Sequence, residues 1–252
     1  MTTIMNEPVS GAAWERRGEK VSAIIAREIV RDIAKRELPS GSTLESESAM
    51  LGRYQVARAS LREALRVLET HGLVRMKPGP GGGPVVADVD SREFGRMCTL
   101  FFQVMGIRFS ELVEARLIVE PLVARLAAER RDPEDNEQLR TIVQEGFDAE
   151  DSAEWLRASS AFHAKVLSMS GNGLLNIFAR ALKDIFTERV SGVLFVSRRR
   201  AEVKKVHGQI ADAIVDGDGD RAEELMREHM SEYAKMVAKK EPQLMNEVVD
   251  WR

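Results

Sequence analysis

Cysteine is almost missing from this chain: Cys98 stands alone among 252 residues. One thiol closes no intrachain disulfide, so the fold must rest on its core, and a reducing cytoplasm is the expected compartment. Long apolar runs are missing too. No stretch of about 18 apolar residues occurs, which excludes a spanning helix and argues against a membrane partner. The opening "MTTIMNEPVSGAAWERRGEK" lacks the apolar centre of a signal peptide and reads as a flexible arm over residues 1–18. A large excess of one charge sign is also absent. The net charge of −3 argues against a general nucleic-acid coat protein. No internal repeat of fixed period is visible, which removes solenoids and propellers.

What is present is enough for one large domain or two ordinary ones, with 44% hydrophobic residues for a core and 31% charged residues for a surface. Charge is unevenly placed. Residues 1–88 hold 13 Lys and Arg against 11 Asp and Glu, whereas residues 89–252 hold 24 against 29. The patterning divides at the same place. Val21, Ile24, Ile25, Ile29 and Ile33 predict a first helix between Glu19 and Arg36. "ELPSGSTL" reads as a turn, and Thr43 or Ser46 as the cap of a short second helix ending near Tyr54. Ser60 or an adjacent residue opens a third helix that Gly72 stops. "LVRM" and "PVVA", separated by "KPGPGGG", predict a β-hairpin. Beyond Asp90 the pattern is helical, with spans near 91–106, 110–131, 133–147, 152–169, 173–195, 199–215 and 219–240. The fold class is therefore mainly α. Three helices and a β-hairpin wing (19–88) precede an all-α antiparallel bundle (89–240) and a frayed tail (241–252).

In "VARASLREALRVLETHGLV", Arg58, Arg62 and Arg66 recur every four residues and share one helical face, with Leu61, Ala64, Leu65 and Leu68 on the other. A solvated amphipathic helix, with Glu63 and Glu69 pairing to Arg66, accounts for the row by itself. The neighbouring elements decide otherwise. Two short helices joined by a tight turn and followed by a hairpin describe a winged helix-turn-helix, whose second helix enters the major groove N-terminal end first. Arg58 and Arg62 then reach phosphates or guanine edges, and Lys77 lies at the base of a wing that tracks the backbone. The tip "GPGGGP" lacks a following Lys-Ser/Thr and opens no helix, so it is not a nucleotide-binding loop.

The bundle holds three of the four histidines. His163, His207 and His229 each fall on the apolar stripe of a different helix. One such residue is ordinarily a satisfied core histidine. Three facing one bundle interior are the usual way to build a metal site.

The stretch "LPSGSTLESESAMLGRYQVARASLREALRVLETHGLV" resembles the signature of the GntR family of bacterial transcription regulators over roughly residues 20–88. By that resemblance Arg58 and Arg62 contact DNA, with Arg66 following on the same face and Ser60 as the hydrogen-bonding member of the Ala59–Ser60 tip. The chain departs from the family at Glu45, usually proline, and at Ser48, often an arginine. "SSAFHAKVLSMSGN", His207 and "DGDGDRAEELMREHM" resemble the FCD effector domain of the FadR-like branch over about residues 95–240. That resemblance implies an all-helical domain holding a divalent metal, zinc or a nickel- or manganese-like ion, on His163, His207 and His229. The family's aspartate one turn before the first histidine is Ser159 here. Arg116 matches an arginine that the family points at carboxylate effectors, with Ser159 beside the same ligand. Arg116 also has an ordinary reading, an i,i+4 ion pair with Glu120. Asn172 matches a recurrent family residue and reads equally as a cap.

The resulting expectation is a ligand-responsive, DNA-binding transcription regulator and not an enzyme. It is expected to be a repressor, a homodimer on a palindromic double-stranded operator, released by a small carboxylate. The alternative is a metal-dependent hydrolase using the three histidines. It lacks a His-Glu-x-x-His pattern and leaves the helix-turn-helix unexplained. An architectural DNA binder without effector would leave over half the chain without a role.

Overall fold

Two isoleucines start the first core. Ile25 and Ile29 of α1 (Val21–Lys35) are buried against α3 (Arg58–Thr70), which contributes Leu61, Leu65 and Leu68. The computed structural model describes residues 19–79, 82–88, 91–130, 132–146, 152–190 and 200–250, so the expected arm over 1–18 lies outside the described residues. The chain divides into two units, Met1–Glu93 and Phe94–Arg252.

In the first unit, α2 (Glu47–Tyr54) begins at Ser46, whose hydroxyl accepts from the Ala49 amide at 3.2 Å. Met50 and Tyr54 seal it to the core. Gln55 ends it in the left-handed region at φ 50° and turns the chain towards α3. That helix opens earlier than Ser60: Ala57 is the N-cap and makes no side-chain capping bond. Gly72, at φ 65°, sends the chain into β1 (Val74–Lys77), which pairs antiparallel with β2 (Gly83–Val86) from Val74↔Val86 to Lys77↔Gly83. The segment read as a plain turn does more than turn. Thr43 bridges Val85, and the Leu44 amide donates to the Pro84 carbonyl at 2.9 Å, so residues 42–44 run beside β2.

The second unit is built from α4 (Ser91–Met105), α5 (Phe109–Arg130), α6 (Pro133–Gly146), α7 (Ser152–Ser168), α8 (Gly173–Val190), α9 (Arg200–Asp216) and α10 (Gly219–Lys240). The α8 span expected to reach 195 is described as far as Val190, and residues 191–199 lie outside the described residues. Helix α5 is central, touching α7, α8, α9 and α10. Its small residues Ala124, Ala127 and Ala128 admit close neighbours, and Phe162, Ile210, Ile214 and Met226 fill the layer around them. A second apolar layer gathers Phe109, Leu182, Phe186 and Val237. Asn172 acts as a cap: its side-chain oxygen accepts from the Leu174 and Leu175 amides, both at 3.1 Å.

The frayed tail is a correction. Leu244 and Val249 are buried in that second layer. The Phe109 amide donates to the Glu247 carbonyl and the Val249 amide to the Ile107 carbonyl, both at 2.9 Å, while Arg189 pairs with Glu247 and Asp250. Two spaced apolar residues suffice to hold a segment whose remaining composition is polar. Among the described residues no helix is long and apolar enough to cross a membrane.

Candidate functional site

The arginine row lies exposed along α3, as its four-residue spacing requires. Arg58 is the first helical residue and Ser60, two residues later, is half-buried. Arg62 Nε stands 3.2 Å from Glu47 Oε2, and Arg66 Nη1 stands 3.0 Å from Glu63 Oε2. Both arginines are mostly exposed. Such surface pairs are worth about 0–1 kcal/mol, so a phosphate displaces the carboxylates at small cost. Glu69 does not join Arg66: its carboxylate accepts from the Met76 amide at 3.2 Å, tying α3 to β1. Lys77 is exposed at the end of β1, and Arg75 is exposed on the same strand. Arg75 was legible from the period of two along β1 and adds a second cation to the wing.

In the second unit α7, α9 and α10 bring the three histidines together. Their candidate ligand atoms lie within 4.8 Å of one another. His207 Nε2 is 3.0 Å from His229 Nε2, which is 3.3 Å from His163 Nε2. Nitrogens about 2.0–2.1 Å from a shared tetrahedral ion stand roughly 3.3–3.4 Å apart, so the two separations to His229 are of the size one divalent cation requires. Phe162 stacks on His207 at 4.1 Å between ring centroids and fixes its plane. Burial, reinforced by His229 and His163, holds His207 well below its ordinary pKa. Burial and then His163 lower His229 to about 3, against an opposing pull from Glu120. Both rings are therefore neutral near pH 7, the state that ligates metal.

Helix α5 supplies the charged wall. Arg116 and Glu120 are buried one turn apart, with Arg116 Nε and Nη2 at 2.7 and 2.6 Å from Glu120 Oε1. The ion pair that their spacing permits is thus formed. Glu120 Oε2 turns to His163 Nδ1 at 3.0 Å. Burial pushes the Glu120 carboxyl up, but Arg116 and His163 prevail and hold it at about 2. The Arg116 guanidinium also lies over the Phe186 ring at 4.2 Å.

A cavity of about 270 Å³ opens beside this cluster, lined among others by Arg116, Ser159, His163, Lys183, His229 and Tyr233. Its size suits a small metabolite. Of the bundle residues singled out in the sequence, Arg116, Ser159, His163 and His229 thus line one space, His207 adjoins it through His229, and Asn172 lies elsewhere as the cap of α8. Two members were missed. Lys183 is buried, with Nζ 2.8 Å from both Ser160 Oγ and Asp184 Oδ1. Glu120 was seen only as a partner for Arg116. Both its oxygens are turned to cations or imidazole, which leaves it unsuited to serve as a general base for the hydrolase alternative.

The description "Bacterial regulatory proteins, gntR family" matches residues 22–82, and "FCD domain" matches residues 111–232. The HTH-type transcriptional regulator LutR of Bacillus subtilis is 28% identical over 201 residues, covering 77% of this chain and 91% of its own. The uncharacterized HTH-type transcriptional regulator Rv0494 of Mycobacterium tuberculosis is 30% identical over 176 residues, 69% of this chain and 70% of its own. The HTH-type transcriptional repressor NanR of Cronobacter sakazakii is 27% identical over 219 residues, 84% of each chain. Among solved structures, Streptococcus agalactiae GntR shares the fold, with a TM-score of 0.68 and 22% identity over 85% of this chain and 99% of that one.

Proposed function

The chain belongs to the GntR family of bacterial regulatory proteins and carries an FCD domain, and from that premise we propose how this ligand-responsive, DNA-binding transcription regulator works. It is a cytoplasmic repressor that binds a two-fold operator as a homodimer. Residues 19–88 bind the DNA: α3 enters the major groove with Arg58, Ser60 and Arg62 foremost, Arg66 meets the flanking backbone, and Lys77 on the wing meets phosphate. Residues 89–240 sense the ligand. The observation that carries this reading is the convergence of His163, His207 and His229 on a cavity that Arg116 also lines. The three imidazoles would hold a divalent cation, which supplies positive charge for an anion. Arg116 Nη1 is buried without a hydrogen-bond partner and so has a donor left for a carboxylate. Ser159, lining the same cavity, offers a hydroxyl to that ligand.

The test is binding of the full chain to its own upstream DNA, with zinc and with a panel of small carboxylates. A repressor of this kind loses the operator when one carboxylate is added and keeps random DNA binding unchanged. Arg62→Ala should weaken operator binding by roughly 1–3 kcal/mol if Arg62 reads a base. If it touches phosphate alone, operator and random DNA weaken together and the salt slope falls by about one. Unchanged affinity on both DNAs removes Arg62 from the interface.

The dimer reading rests on an apolar face. Ile118 and Leu122 on α5, and Leu174 and Phe178 on α8, are exposed one turn apart on two helices that pack together. Exposed apolar surface of this kind needs a cover, and a second copy laid across it by a two-fold axis provides one. Ile118→Asp should convert the dimer to a monomer in sedimentation at micromolar concentration. A variant that stays dimeric moves the contact elsewhere.

A further inference from the structure

Losing the family aspartate at Ser159 leaves three neutral ligands for a divalent cation. The nearest buried negative charge is Glu120, which is 1% exposed. We propose that Glu120 supplies through His163 the charge that Ser159 does not supply directly, and that by sharing itself between His163 and Arg116 it couples cation binding to anion binding. The proposal rests on the three-histidine reading above.

The geometry is specific. Glu120 Oε2 lies 3.0 Å from His163 Nδ1, an ion-pair contact, and neither buried atom has a hydrogen-bond partner among the described residues. A carboxylate at that position requires the proton on Nδ1, which leaves the Nε2 lone pair aimed at the other two histidines. A carboxylate behind a ligating imidazole fixes its tautomer and raises its basicity. Glu120 is therefore a positioning residue, acting on the cation through His163. Burial strengthens the effect, because no solvent stands between the carboxylate and the ring.

The other oxygen provides the coupling. Glu120 Oε1 accepts from both Arg116 Nε and Arg116 Nη2. An anion that enters the cavity and draws on Arg116 loosens that grip. More of the carboxylate's charge is then available to His163, and the cation is held more tightly. Reciprocity requires the cation to favour the anion by the same factor.

The experiment is calorimetric titration of the full chain with zinc ion, and with acetate in the presence and absence of zinc. Glu120→Gln keeps the size and an acceptor oxygen but removes the charge. It should weaken zinc binding about 10–100-fold. The added change Ser159→Asp should restore most of that affinity, which a merely structural role for Glu120 would not allow. Zinc should tighten acetate binding in the original chain, and this effect should vanish in Glu120→Gln. Zinc affinity unchanged in Glu120→Gln overturns the proposal while leaving the metal site intact. Absence of zinc binding in the original chain, with His229→Ala indistinguishable from it, overturns the three-histidine reading instead. Should Glu120→Gln fail to fold by far-ultraviolet circular dichroism, nitrogen-15 NMR of the original chain decides. The proton on His163 Nδ1 supports the proposal, and the proton on Nε2 overturns it.

Discussion

Arg116→Ala is expected to cost about 3–5 kcal/mol of folding stability at pH 7, because it strands a buried carboxylate. The Arg116 and Glu120 side chains are 4% and 2% exposed, so water cannot replace the guanidinium. The pH dependence should invert as well. In the original chain burial raises the Glu120 carboxyl, yet Arg116 and His163 hold it at about 2, below its ordinary 4.5. Its contribution is therefore complete above about pH 4.5 and is lost as pH falls towards 2. Without Arg116, the upward push of burial meets only His163, and the variant should lose stability as pH rises instead. Replacing both residues by methionine should recover much of the loss, since a buried pair is costly to break but not to remove whole. Urea unfolding at pH 4 and pH 7 measures each arm. A loss below about 1 kcal/mol, within the range of an exposed pair, would mean that Glu120 finds water.

Acid should unfold the metal-free bundle well before it protonates its exposed carboxylates. His207 is held well below 6.5 and His229 at about 3, by burial first and by neighbouring histidines second. Unfolded chains take up these protons below about pH 6.5, and the native state does not. Stability is thus complete above pH 6.5 and is lost as pH falls towards the folded values. At pH 4.5 His229 alone accounts for roughly 3 kcal/mol, at about 1.4 kcal/mol per unit, and His207 acts in the same direction. That is a large part of an ordinary domain's roughly 5–15 kcal/mol. Bound zinc should steepen the dependence, because protons then compete for its ligands. His207→Leu removes one titrating ring and should flatten the curve. Melting temperatures from pH 7.5 to 4.5 in chelator test this, and equal slopes for the two proteins would refute it.

How much of this was readable in the sequence depends on how far each feature reaches. Helix faces are local, so the arginine row, the isoleucines of α1 and the inward stripe of each histidine followed from spacing alone. The hairpin followed from "KPGPGGG" between the short runs "LVRM" and "PVVA". That the three histidines meet required only that their stripes share one interior. The contact between Glu120 and His163 was not readable, because it joins positions 43 residues apart through the packing of α5 on α7. Lys183 is one more lysine in a helix until α7 brings Ser160 against it. The tail misled because its polarity outweighs its two apolar anchors. The capping of α3 misled because Ser60 is a good cap by type, whereas Ala57, a poor one, holds the place.

That poor cap, shared with α1, which follows Lys20 without a capping side chain, sets α3 apart from α2 and α10. Ser46 caps α2, with Glu47 in its first turn, and Asp218 caps α10, with Asp220 in its first turn. Helix α3 has no capping side chain and no acidic residue in its first turn. The Ser60 amide donates to the Ala57 carbonyl, but no capping side chain answers the Arg58 and Ala59 amides or the positive end of the dipole, in the helix assigned to the operator. A phosphate oxygen is the acceptor that such an end best accommodates. Thermostability and repression thus compete for the same few amides: selection for a hardier fold would install a serine or aspartate at position 57, and in filling the place of the phosphate it would take away the grip on DNA.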